Sequence, residues 1–208
     1  SGIWQSVWLG ATDVCHITKL RMIPDIDEKT LKIKTFATEE NLKVKVTVFD
    51  GETVMSENTL SMDDEIKFQD IKLWSPENPY LYDIKFAAGE DRVDSYFAMR
   101  KFSTGFDGDG TPRFMLNNKP YFFNGLLDQG YFSDGIYLPA SPDGYIWDIE
   151  NMKKLGFNTL RKHIKVEAEQ FYYDCDRLGM LVWQDMVNNG RYSFIRDTAL
   201  PTIGMKTL

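Results

Sequence analysis

Residues Asp148 to Asp185, DIENMKKLGFNTLRKHIKVEAEQFYYDCDRLGMLVWQD, constrain the fold more than any other stretch of this chain. Ile146, Ile149, Met152 and Leu155 recur at near-helical spacing, and Gly156 stops that helix. Phe157 to Ile164 reads as a short strand. Glu167 to Leu178 reads as a second helix, with acids in its first turn and Gly179 as its stop. Met180 to Trp183 is an apolar run, the pattern of a buried strand, and it ends in Gln184 and Asp185. A strand, a crossover helix and a second strand make a parallel sheet covered by helices. In such sheets chemistry gathers where the strands end at their carboxyl side. Those ends carry Arg161 and His163, then Gln184 and Asp185.

Before this stretch the pattern is different. From about Cys15 to Ser103 the chain reads as all-β. Strands are expected at 16–23, 30–37, 42–49, 52–59, 65–71, 81–88 and 92–102. Turn signals separate them, at Asp50-Gly51, Asp63-Asp64 and Gly89-Glu90. Leu42, Val44, Val46 and Val48 alternate with Lys43, Lys45 and Thr47, the signature of a half-buried antiparallel strand. About seven such strands predict an immunoglobulin-like sandwich, without the Cys…Trp…Cys pattern of antibody domains. Ile3 to Leu9 also alternates and reads as a strand, with Trp4 and Trp8 as core or interface residues. Trp74-Ser75-Pro76-Glu77-Asn78-Pro79 reads as a loop stiffened by its prolines.

GFDGDGTP, residues 105–112, reads as a solvated linker. Asp107 and Asp109 beside glycines invite comparison with a calcium loop, but no glutamate stands where the twelfth ligand would fall. Arg113 to Asn124 reads as a hairpin around Asn117-Asn118, residues that tolerate positive φ. Gly130 to Ala140, carrying Tyr131, Phe132 and Tyr137, is a long aromatic loop. Ser141-Pro142 caps the helix that follows. Glu167 and Glu169 stand two apart on the expected helix, so they face different ways and read as first-turn acids.

Composition narrows the function classes. The 208 residues are 43% hydrophobic and 14% aromatic, enough for packed cores. A net charge of −7 argues against nucleic acid and anionic membrane as partners. No run approaches the length of a membrane span. Ser1-Gly2-Ile3-Trp4 reads as the interior of a longer protein, so compartment is left open. Cys15 and Cys175 fall in different domains and read as buried free thiols. No cofactor or metal is implied.

GFNTLRKHI and CDRLGMLVWQD resemble the second and third strand regions of the catalytic barrel in family 2 glycoside hydrolases, the β-galactosidase, β-glucuronidase and β-mannosidase relatives. SGIWQSVWL, LWSPENPYLYDIKF and FMLNNKPYFFNG fall in that family's order, so the resemblance covers nearly the whole chain. It implies four segments: residues 1–12 ending a jelly-roll domain, an immunoglobulin-like sandwich at 13–104, a linker at 105–112, and the start of a (β/α)8 barrel at 113–208. The fold class is thus an all-β sandwich followed by an incomplete α/β (TIM-barrel) segment. Pro201 to Leu208 would lie in the next connection or helix. The hairpin at 113–124 would cap the barrel's lower end, and Asn124 to Gln129 would be its first strand, with Asp128 and Gln129 at the upper end. The aromatic loop 130–140 would lie on that side, either as a sugar-binding wall or as a loop packed on its own barrel.

The resemblance also implies roles. Arg161 matches an arginine that holds the nucleophilic glutamate ionised and oriented; the alternative is an ion pair with a carboxylate such as Asp185. The family's β-galactosidase branch has its histidine three residues after the arginine, where Ile164 stands here. His163 shares a strand face with Arg161, which keeps a substrate role open. VWQD is closer to the mannosidase-like branch, so the sugar is left open. Asp128, Gln129, Gln184 and Asp185 complete the candidate substrate-binding set. Retaining glycosidases need an acid/base and a nucleophile carboxylate roughly 5 Å apart. The family's pair follows the fourth and seventh barrel strands, and no Asn-Glu dipeptide occurs here to supply the first. The implied function is part of a retaining β-glycosidase, with carbohydrate as partner and no catalytic carboxylate in this chain. The alternative is a non-catalytic carbohydrate-binding or scaffolding module.

Overall fold

The structure, a computed structural model, describes residues 3–186; the expected connection at Pro201–Leu208 lies outside the described residues. Two compact units divide the chain. One holds Ser6–Phe123 with Asp176–Gly179; the other holds Ser1–Gln5, Asn124–Cys175 and Met180–Leu208.

The first unit is a β-sandwich. Strands β1 (Ile17–Asp25), β2 (Thr30–Ala37) and β5 (Asp63–Lys67) form one antiparallel sheet in the order β1-β2-β5. Strands β4 (Thr53–Leu60), β3 (Val44–Asp50), β6 (Tyr82–Ala88) and β7 (Asp91–Phe97) form the other, in that order. Alternation decides what is inside. Val44, Val46 and Val48 are fully buried, as are Leu31 and Ile84, and Leu42 packs against the same core. Stacked rings extend it: Phe97 lies 5.2 Å from Tyr82 and 6.0 Å from Phe68. Each large apolar side chain withdrawn this way contributes about 1.5–3 kcal/mol.

The Trp74 loop is structural, as expected. Ser75 and Asn78 exchange backbone hydrogen bonds at 3.0 Å, which closes the turn. Trp74 is fully buried, with the Arg100 guanidinium 4.5 Å from its ring centroid.

Several expectations need correction, among them the Asp63-Asp64 turn, which lies inside β5. The strand expected at 92–102 breaks into β7 and β8 (Phe102–Phe106). Met99 leaves the sheet to enter the core, where its carbonyl accepts from the Trp74 N–H at 3.0 Å. Residues 105–112 are a hairpin rather than an open linker: β8 pairs with β9 (Pro112–Leu116), from Phe102↔Leu116 to Phe106↔Pro112. Asp107 organises its turn, accepting from Thr111 N at 2.8 Å, Asp109 N at 3.1 Å and Arg113 Nε at 2.7 Å. These donors hold the Asp107 carboxyl below the usual range, the Arg113 guanidinium first among them. Ile3–Leu9 forms no strand. Alternation favours an extended chain, but a strand needs a neighbour to bond, and none pairs with this segment among the described residues.

The hairpin around Asn117-Asn118 is present. β9 pairs with β10 (Lys119–Pro120), and both asparagines have positive φ, 52° and 64°.

The second unit is a parallel sheet, β11 (Gly125–Asp128), β12 (Thr159–Lys162) and β13 (Leu181–Gln184), in the order β11-β12-β13. Helices α1 (Asp143–Lys154) and α2 (Glu169–Leu178) make the connections. Gly156 and Gly179 follow them at φ of 91° and 78°, the left-handed geometry that ends a helix. Gly125 lets two strands close: a Cβ there would lie 2.8 Å from the Thr159 carbonyl oxygen. Helix α2 starts two residues later than expected, because Glu167 is drawn into the interior instead.

Candidate functional site

In-register parallel pairing sets side chains in rows across the sheet. Leu127, Arg161 and Trp183 occupy one row, and all three are exposed. Asp128, Lys162 and Gln184 form the next row, one residue on, and point to the opposite face. That single step divides the six expected site residues.

Arg161 grips Asp185 in a fork, Nη2 to Oδ2 at 2.9 Å and Nε to Oδ1 at 3.3 Å. The arginine side chain is 56% exposed, so this pair adds little stability. His163 and Gln129 meet beside it. The Gln129 amide donates to His163 Nδ1 at 3.2 Å, which puts the neutral ring's proton on Nε2. The arginine, imidazole, amide and carboxylate therefore gather at the strand ends.

Asp128 and Gln184 do not join them. Asp128 takes the Lys162 ammonium at 2.6 Å and the Gly130 N–H at 2.8 Å. Gln184 accepts from the Tyr172 hydroxyl at 2.6 Å and donates to the Lys165 carbonyl at 2.9 Å. Both side chains serve the helix-covered side of the sheet.

On that side lies a cluster the sequence reading missed. Lys162 and Glu167 are 1% and 3% exposed. Lys162 Nζ reaches Glu167 Oε1 at 2.9 Å and sits 4.3 Å from the Phe171 ring centroid. Lys165 Nζ meets the same Glu167 oxygen at 2.9 Å. The Tyr145 hydroxyl donates to Glu167 Oε2 at 3.3 Å; burial, then the nearby carboxylate, push its pKa far up. One signal was available. In TLRKHIK, placing Arg161 and His163 on one face sends Lys162 to the apolar side, where a lysine requires a carboxylate.

Within the same unit a cleft of about 910 Å³ opens at the strand ends. Trp4, Gln129, Tyr131, Tyr137, His163 and Lys165 line it. Tyr137 lies 5.9 Å from Trp4 and 5.7 Å from Tyr131, both tilted. All three rings keep part of their surface in solvent. Trp4, read as a packed residue, is thus a wall of the cleft, while Trp8 is 84% exposed and packs on little. Half-exposed rings beside an amide and an imidazole suit a ligand with both apolar and hydroxylated faces. Among the described residues there is no cluster of metal-ligating side chains, and no helix is long and apolar enough to cross a membrane.

Comparison with known proteins gives a consistent result. Residues 15–100 match the family described as Glycosyl hydrolases family 2. A putative beta-glucuronidase of Formosa agariphila is 28% identical over 207 residues, covering 89% of this chain and 24% of that protein. A beta-galactosidase of Thermoanaerobacter pseudethanolicus is 29% identical over 208 residues, covering 89% of this chain and 27% of that one. Among solved structures, a Faecalibacterium prausnitzii beta-glucuronidase superposes with a TM-score of 0.73 at 26% identity, over 83% of this chain and 28% of that one. The chain therefore spans about a quarter of the length of these relatives.

Proposed function

We propose, from its place in glycosyl hydrolase family 2, that this chain supplies part of the substrate pocket of a retaining β-glycosidase acting on terminal O-glycosidic bonds. The carrying observation is the cleft where three parallel strands end, walled by aromatic rings and floored by Gln129 and His163. In this reading the sandwich is the family's immunoglobulin-like domain, and β11 to β13 are the first three strands of a (β/α)8 barrel. The exposed row Leu127–Arg161–Trp183 would then face the barrel interior. Strand-end residues of such barrels carry the chemistry.

The geometry supports a role for each residue. Arg161 would exchange its Asp185 fork for the nucleophilic carboxylate, presenting two N–H groups to it. Gln129 and His163 would bond sugar hydroxyls, and the rings would cover the sugar's apolar face. Both reacting carboxylates would come from later strands, so the chain alone would bind and not hydrolyse.

Methyl β-D-glucuronide and methyl β-D-galactoside titrated into the purified chain provide the test, with tryptophan fluorescence as the readout. One of them should change the emission saturably, and Trp4→Phe should abolish the change. Aryl β-glycosides should show no turnover above a heat-treated control. Absence of binding across the panel by folded chain rejects the pocket. Turnover by the chain rejects the division of labour. Binding by a chain whose longer natural form also fails to hydrolyse favours the non-catalytic module.

A further inference from the structure

The aromatic wall of the cleft sits on a loop with little secondary structure. Gly130 to Tyr137 is pinned in its middle by paired hydrogen bonds between Phe132 and Ile136, at 2.9 and 3.0 Å. Its two ends are held by one group. Lys165 Nζ donates to the Gly130 carbonyl and, at 2.6 Å, to the Tyr137 carbonyl. The same ammonium lies 5.2 Å from the Trp4 ring centroid and 5.8 Å from that of Tyr131. A single buried cation thus touches the backbone at both ends of the loop and two of the three rings.

We propose that Lys165 is a positioning residue of the cleft, fixing the loop 130–137 so that Tyr131, Tyr137 and Trp4 form one wall. The wall's role as a sugar platform rests on the function proposed above; the holding of the loop does not. Glu167 keeps the ammonium charged at this depth and shares its carboxylate with Lys162, which in turn holds Asp128. Asp128 accepts the Gly130 N–H, closing a circuit through both peptide groups of that residue. Gly130 is fitted to the circuit. Its φ is +64°, and a Cβ there would collide with Glu167 Oε1. The competing reading is that Lys165 is only a counter-ion for Glu167. The two readings part when both charges are removed together.

The experiment uses the full chain labelled with 5-fluorotryptophan, without any sugar. Fluorine resonances are assigned by single Trp→Phe variants, and amide hydrogen exchange is followed in parallel. Lys165→Met and the charge-balanced Lys165→Met/Glu167→Gln should both shift the Trp4 resonance. Both should speed exchange of the 131–137 amides by about tenfold or more, while α1 amides keep their rates. Wild-type loop exchange and an unmoved Trp4 resonance in the balanced variant would overturn the proposal. So would an equal acceleration throughout α1, which marks a stability element rather than a positioning one. If Lys165→Met alone fails to fold, the balanced variant decides. Because no ligand is present, failure here is separate from failure of sugar binding.

Discussion

Arg161 and Asp148 show how two charges in one unit lead to different measurements. Arg161 is exposed and forked onto Asp185, so Arg161→Lys should change the chain's stability by less than about 1 kcal/mol. In a protein carrying the complete barrel, the same substitution should lower kcat by about one to two decades with little change in KM. Unfolding of the variant, with kcat of the folded fraction intact, would make Arg161 a structural ion-pair residue. Asp148 is half-buried on α1. Desolvation, then the Asp128 charge, raise its pKa, against a smaller opposing effect from Lys162. A raised carboxyl binds its proton more tightly in the folded state. Its stabilising contribution is therefore present below the unfolded value of about 3.9 and is lost as pH rises through the folded value. Asp148→Asn should raise Tm near neutral pH and leave it little changed in acid, removing the loss of stability that ionisation of this carboxyl causes as pH rises. A Tm profile parallel to wild type from acid to neutral would refute this. Arg161 was legible as a strand-end arginine because spacing places it there. Lys162 was legible only through the alternation of TLRKHIK, because the carboxylate that allows its burial, Glu167, lies off the strand.

Among the elements, the strands of the sandwich were legible and their ends were not. Period-two alternation set Val44, Val46 and Val48 inside, whatever the neighbours were. The break before β8 depended on Met99 finding a distant core. The hairpin turn at Asp107 reads as a linker in sequence because turns and linkers share glycine and aspartate. Only pairing between β8 and β9 separates them, and pairing is not a local property. The turn at Asn117-Asn118 was legible because its chemistry is local, and it offers a paired test. Both residues need positive φ, which glycine supplies. Asn118→Gly loses one exposed hydrogen bond to Asp27 and should be nearly neutral. Asn117→Gly loses two, from the Lys101 N–H at 3.0 Å and to the Trp74 carbonyl at 2.9 Å. Chemical denaturation should show a loss of about 1–3 kcal/mol for Asn117→Gly. Equal costs for the two variants would mean that φ alone matters at this turn.

For the whole molecule, the division into two units does not follow the order of synthesis, since Ser1–Gln5 belongs with residues beyond 124. Residues 6–12 are exposed and outside any strand, whereas 107–111 is tied by the Asp107 side chain. A broad-specificity protease under native conditions should cut within 6–12 before it cuts 107–111. The reverse order would show that the Asp107 turn opens more readily than its hydrogen bonds imply. The tie between Gln5 and Val166, a side-chain bond of 3.4 Å, spans 161 residues. At about 5–20 residues per second, a ribosome takes roughly 8–30 s to make that interval. For most of it Trp4 has left the peptidyl-transfer centre while the tyrosines it will meet do not yet exist, and Lys165 is made only at its end. The sandwich, whose strands pair with near neighbours, can close in that time. Trp4 is thus made well before the partners that cover it, and until Lys165 emerges its place in the cleft is not there to be filled.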